Sequence, residues 1–245
     1  MLSYDTMKLG KWNLSDLVPS STAKEVGGLL SNIESKVSRF EGMRPLLKPE
    51  ISIDVFVEMI HMIEDISEEL STVAAFAHLQ YYADTSSNDA AAFMTRIEKF
   101  CSEIGNKLIF FDLWFKKDLD NTNALRLIDG VPRDYKEYLR HKRLAANYSL
   151  TEPEEKIINT LEVSGTGALV KIYDRMTNGF DFTISMKKGK KTFKKMFTNK
   201  EKLLSMVRSH IAKERENAYK ALWKTYEKNS GTLGEIYQNL SLIHI

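Results

Sequence analysis

The chain has 245 residues, 43% apolar and 28% charged, enough to bury roughly 70 to 75% of the surface an unfolded chain exposes, so a stable core requires neither disulfides nor metal. Lys and Arg total 35 against 33 Asp and Glu, and a net charge of +2 excludes the dense positive field of a non-specific nucleic-acid binder. Cys101 is the only cysteine, which rules out an internal disulfide and a multi-thiolate zinc site and fits a reducing, cytoplasmic setting.

Five prolines and twelve glycines leave long stretches whose apolar residues recur at helical spacing. A mainly α fold is expected, with long antiparallel helical hairpins, a bundle, and one small β-hairpin near residues 180–197. No stretch is long and apolar enough for a signal peptide or a membrane span, so no membrane partner is expected. The first helix, capped among Ser20 to Thr22, runs to about Met43, before Pro45 and Pro49. The second starts after Ser52 and keeps Phe56, Ile60, Ile63, Ile66, Val73, Ala77 and Tyr81 on one face. Thr85 to Asn88 break it. A third, from about Asp89, carries Phe93, Met94, Ile97, Phe100, Cys101, Ile104, Leu108, Phe111 and Phe115 inward and returns antiparallel to the second. Asn121 to Gly130 reads as a short helix and Arg133 to Asn147 as a charged, solvated one. Thr151 and Glu154 form a capping box for a helix reaching Val163, and Thr166 or Gly167 opens the next, through Met176. Phe182, Ile184 and Met186 alternate, and the turn Lys187-Lys188-Gly189-Lys190 makes this the β-hairpin. One helix is then expected from Thr198 or Asn199, with Leu204, Val207, Ile211, Ala218, Leu222 and Tyr226 on one face, before a break at Asn229 to Gly231.

No self-contained active site emerges. His61, His78, His141, His210 and His244 include no pair three or four residues apart, so no helix face offers two imidazoles to a metal. His61 and Glu64 begin an inverted zinc motif, but Asp65 stands where its second histidine belongs. The lysines between Lys187 and Lys202, interleaved with Phe182, Phe193 and Phe197, could suit a strand-based RNA reader. The balanced charge and the lack of an arginine cluster favour a solvated turn with inward aromatics, and no nucleic-acid partner is expected. Gly165-Thr166-Gly167 reads as a tight interhelix turn, because neither a preceding strand nor a phosphate-loop lysine accompanies it. Cys101 reads as core, and Glu64, Asp65, Glu68 and Glu69 as a solvated helix face. Catalytic and metal-ligating residues are therefore none, and substrate-binding residues unknown.

A succession of motifs resembles the oligoendopeptidase F family, zinc metallopeptidases related to thimet oligopeptidase. They are Lys142-Arg143-Leu144-Ala145, the run Leu150 to Ile158, Ser164-Gly165-x-x-Ala168-Leu169-Val170-x-x-Tyr173-Asp174, Arg215-x-x-Ala218-Tyr219-x-Ala221-Leu222, Tyr226-x-x-Asn229 and Leu233-Gly234-x-Ile236-Tyr237, with Trp12 to Leu17 resembling the family's opening. The resemblance implies hydrolysis of oligopeptides by zinc held on a His-Glu-x-x-His helix and a later glutamate, with the first Glu as general base. None of those residues occurs here. The expectation is an N-terminal helical lobe over residues 1–186 and the truncated start of the catalytic domain over 187–239. Such a fragment would bind no zinc and be inactive alone, its missing partner being the remainder of its own catalytic domain. Leu240 to Ile245 match one reading frame of a transposon mosaic-end sequencing adapter, so the expectation gives His244 no functional weight. The competing reading is a complete, non-catalytic helical interaction module. It would show a polar, satisfied outer surface on the helices of residues 199–239, where a severed lobe would leave their apolar stripe uncovered.

Overall fold

A computed structural model of the chain describes residues 13–19, 23–188, 191–198 and 200–243. The expected cap at Ser20 to Thr22, the turn residues Gly189 and Lys190, and His244 lie outside them. Among the described residues every regular element except one hairpin is helical, as the apolar spacing requires. Compact packing divides the chain into two units, the first comprising residues 1–84 and 89–160, the second residues 85–88 and 161–245. The lobe boundary expected at 186/187 falls inside a strand of the second unit.

In the first unit, α1 (Ala23–Gly42), α2 (Ile53–Ala83) and α3 (Asn88–Leu113) supply the long helices. The side chain of Ser52 accepts the Val55 N–H at 3.3 Å, which satisfies one orphan donor at the start of α2. Helices α2 and α3 run antiparallel and meet through large rings. Phe56 stacks on Phe111 at 5.7 Å and on Phe115 at 5.5 Å, and farther along Phe76 meets Phe93 edge-on at 6.1 Å. Phe40 of α1 closes the same core against Phe110 and Phe111. Phe93, Phe100 and Cys101 are only partly buried and pack on the margin of this core.

Helix α3 ends in a π-helical turn, Trp114–Asp118, followed by α4 (Asn121–Gly130) and α5 (Arg133–Leu144). Asp120 caps α4 by accepting the Asn123 N–H at 3.0 Å. A β-carbon on Gly130 would fall 2.2 Å from Ile53 Cδ1, so any side chain there would have to displace the Ile53 side chain where α4 closes on the start of α2. Helix α5 is more than the solvated helix expected from its charges. Leu139 is buried, and Arg143 reaches into the π-helical end of α3, where Nη1 donates to the carbonyls of Phe115 (2.8 Å), Lys116 (2.9 Å) and Leu119 (2.9 Å). Its Nη2 donates to Asn121. One guanidinium thus satisfies three carbonyls that the widened turn leaves without helical partners.

Helix α6 (Glu152–Ser164) leads from the first unit into the second. Glu154 accepts both the N–H and the hydroxyl of Thr151, at 2.9 and 2.6 Å, so one carboxylate holds the start of the helix. The second unit contains α7 (Thr166–Asn178), β1 (Phe182–Lys188), β2 (Lys191–Phe197), α8 (Lys200–Val207), α9 (Ala212–Lys228) and α10 (Ser230–Ile243). The strands pair antiparallel in the register Phe182↔Phe197 and Ile184↔Lys195. Phe182 and Ile184 face inward, where they pack with Phe180, Phe197, Leu203, Ala218 and Ala221. On α9, Asn217 Nδ2 donates to the Ser185 carbonyl at 3.2 Å, and Thr225 donates to the Asp181 carbonyl at 3.2 Å.

The single helix expected after residue 198 is instead two, α8 and α9, broken at residues 208–211. Ser209 Oγ accepts the Ile211 N–H at 3.1 Å and donates to Glu214 at 2.6 Å. Arg215 donates to the carbonyls of Ser209 and His210 at 2.8 and 3.0 Å. These side chains offer the backbone an alternative to helical bonding, and Ile211, expected on the buried face, is exposed.

Arg143→Met is expected to destabilise the first unit by roughly 2–3 kcal/mol, the scale for losing hydrogen bonds made by a charged group. Arg143→Lys should recover less than half of that loss, because an ammonium lacks the planar fork. Urea unfolding followed by circular dichroism measures both.

Candidate functional site

A groove of about 700 Å³ opens in the first unit between α2, α3 and α5. Ile60 and Ile63 of α2, Leu108, Ile109 and Phe111 of α3, and Phe115 of the π-helical turn give it an apolar floor. Its rim is polar. The Tyr135 hydroxyl donates to Glu64 Oε2 at 2.7 Å, and that bond holds the Tyr135 phenol above its ordinary pKa. His61 lies beside the same ring, centroids 5.8 Å apart. At the α3 side, Asp112 accepts from two ammonium groups, Lys142 on one oxygen and Lys116 on the other at 2.5 Å. Burial is the largest single influence and pushes the Lys142 pKa down, but its hydrogen bond and charge attraction to Asp112, together with Tyr138, outweigh it and the net shift is upward. Lys142 also sits over the Tyr138 ring, 5.2 Å from its centroid. Buried apolar surface with a few convergent polar groups is the general form of a small-ligand site.

The residues weighed in the sequence are dispersed. Glu64 joins the groove rim through Tyr135, while Glu69 is drawn away to Lys36 at 2.9 Å and to Asn32. Cys101 is half-buried, and burial raises its thiol pKa. Gly165 closes the turn between α6 and α7, where a β-carbon would meet the Leu161 carbonyl oxygen at 2.9 Å. Of the hairpin aromatics, Phe182 and Phe197 are buried and Phe193 is exposed. Sequence reasoning missed Asp112, Tyr135 and Lys142 as a group, since three separate helices bring the groove together. The i,i+4 pair Asp112 and Lys116 was the one local signal available.

The described residues do not fit a zinc centre. No group of three or more His, Cys, Asp or Glu side chains among them could hold a metal ion. His78 Nε2 lies 3.6 Å from Glu98, His61 beside Tyr135, and His141 and His210 are exposed on other elements. No helix among the described residues is long and apolar enough to cross a membrane.

The chain is similar to the crystal structure of oligoendopeptidase-F from Enterococcus faecium, with a TM-score of 0.70 and 15% identity over 89% of this chain and 41% of that one. In sequence it is 24% identical over 226 residues to the oligoendopeptidase F homolog of Borreliella burgdorferi, covering 92% of this chain and 36% of that protein. No family model matches the chain. The resemblance carried by the motifs is thereby borne out, in sequence along most of the chain and in fold. The chain spans little more than a third of the length of the curated relative.

Asp112→Asn should cost about 1–3 kcal/mol at neutral pH, discounted from the value for fully buried pairs because these side chains keep partial contact with solvent. Since the folded-state pKa of Lys142 and of Tyr135 is raised, their contribution is complete below the unfolded values of about 10.4 and 10 and is lost as pH rises through the folded values. Thermal melts between about pH 9 and 12 should show stability falling with pH, and less steeply in Asp112→Asn.

Proposed function

We propose that this chain is the N-terminal portion of an oligoendopeptidase F-like zinc metalloendopeptidase, a cytoplasmic enzyme that hydrolyses short peptides, and that the portion alone is inactive. The observation that carries this reading is the match over 92% of the chain to only 36% of a curated oligoendopeptidase F homolog. Zinc, when bound to the whole protein, would polarise the scissile carbonyl and activate water. The ligands would come from the remainder of the catalytic domain, a reading supported by the lack, among the described residues, of three His, Cys, Asp or Glu side chains able to hold a metal ion together. The partners of the reading are oligopeptide substrates and the remainder of the catalytic domain, with no role for nucleic acid or membrane.

The surface of the second unit favours this over a self-contained interaction module. Tyr219 and Trp223 stand one turn apart on α9 at 57% and 62% exposure, and Tyr237 on α10 at 75%. Large exposed rings at helical spacing suit a surface made to be covered. These rings stand among exposed charges, Lys213, Arg215, Glu216, Lys220 and Lys224, and of the apolar stripe expected to lie uncovered only Ile211 is exposed, so the rings alone carry this preference.

Incubated with zinc and a short fluorogenic peptide, the 245-residue chain is expected to show no hydrolysis above background, and zinc should leave its melting temperature unchanged. Zinc-dependent cleavage by this chain would overturn the reading. Co-expression with the downstream part of the Borreliella burgdorferi homolog should give zinc-dependent peptidase activity and quench the accessibility of Trp223 to acrylamide.

A further inference from the structure

Three observations meet in the groove between α2, α3 and α5. Gly105 lines it in the middle of α3, where glycine is a poorer helix former than any residue but proline. A β-carbon there would meet nothing within 4 Å, so packing does not demand the glycine, and its effect is to keep the groove open.

The two ends of the groove also differ in charge. At one end lie two carboxylates, Glu64, held by the Tyr135 hydroxyl, and Asp134 beside that tyrosine. At the other, Lys116 and Lys142 share the single carboxylate of Asp112, an excess of one positive charge. The dipole of α5 opposes this polarity by roughly half a charge at each end and leaves both signs unchanged.

Asp134 and Lys142 are eight residues apart on α5, about 12 Å along the helix axis. Apolar side chains of α2 and α3 lie across the floor between them. An extended chain advances about 3.3–3.6 Å per residue, so three or four residues span that distance.

We propose that this groove binds a short apolar peptide with free termini, three or four residues long. Its ammonium group lies toward Glu64 and Asp134, its carboxylate toward Lys142, and its side chains rest on the apolar floor. The separation of the charged ends excludes a single amino acid from meeting both. The proposal stands on the geometry of the first unit and not on the peptidase reading, so either can fail while the other holds.

Trileucine with free termini, titrated into the 245-residue chain and followed by calorimetry, should bind saturably at millimolar concentration or below and be recovered uncleaved. N-acetylation and C-terminal amidation should each weaken binding roughly tenfold, the scale of one charge-assisted contact. Glu64→Gln should shrink the difference between the free and acetylated peptides, and Glu64→Gln combined with Asp134→Asn should erase it. Gly105→Leu should abolish binding while leaving helix content and melting temperature equal or higher, because leucine is the better helix former. If that variant does not fold, Ser67→Trp, at an exposed position on the groove wall, supplies the same obstruction. The proposal is overturned by absent binding at millimolar peptide, by equal affinity for the capped peptides, or by full binding in a folded, groove-filled variant.

Discussion

The guanidinium of Arg143 ties α5 to the π-helical end of α3. Its bonds to the carbonyls of Phe115, Lys116 and Leu119 terminate a π-helical turn that would otherwise present unpartnered oxygens at the edge of the core. The turn in turn sets where Phe115 enters the stack on Phe56, and it draws α5 across α3. Without that crossing Lys142 would not reach Asp112, and Tyr135 would not reach Glu64. A single planar donor therefore connects the aromatic core to the polar network that rims the groove's α3 side.

Helix existence and the hairpin were legible because each is written in local spacing. Phe56, Ile60, Ile66, Val73 and Ala77 keep one face of α2, and Phe182 and Ile184 alternate inward on β1, as period alone requires. Ser52 announces the start of α2 through its own side chain. The break between α8 and α9 was hidden for the opposite reason. It depends on Ser209 and Arg215 choosing backbone partners in a stretch whose apolar pattern continues undisturbed.

The groove was less legible still. Glu64, Asp112 and Lys142 come from three helices, and nothing in the spacing of α5 distinguishes a lysine that bridges to α3 from one that points to water. Arg143 was visible only as part of a motif resembling the oligoendopeptidase F family, with no indication of what the side chain holds. Gly105 has no local partner in the sequence that marks the groove it lines. The exposure of Trp223 and Tyr237 required knowing which residues α9 and α10 bury instead, namely Ala218, Ala221 and Ile236.

The bond from Asn217 to the Ser185 carbonyl has a further result for the lone hairpin. A two-stranded sheet has two open margins, and each can recruit a foreign strand. Here α9 occupies an acceptor on the β1 margin, while Lys194 and Lys195 load β2 with like charge that repels an approaching copy. The hairpin is thus guarded against amyloid-type stacking on one flank by a helix and on the other by electrostatics, and only the second guard weakens with added salt.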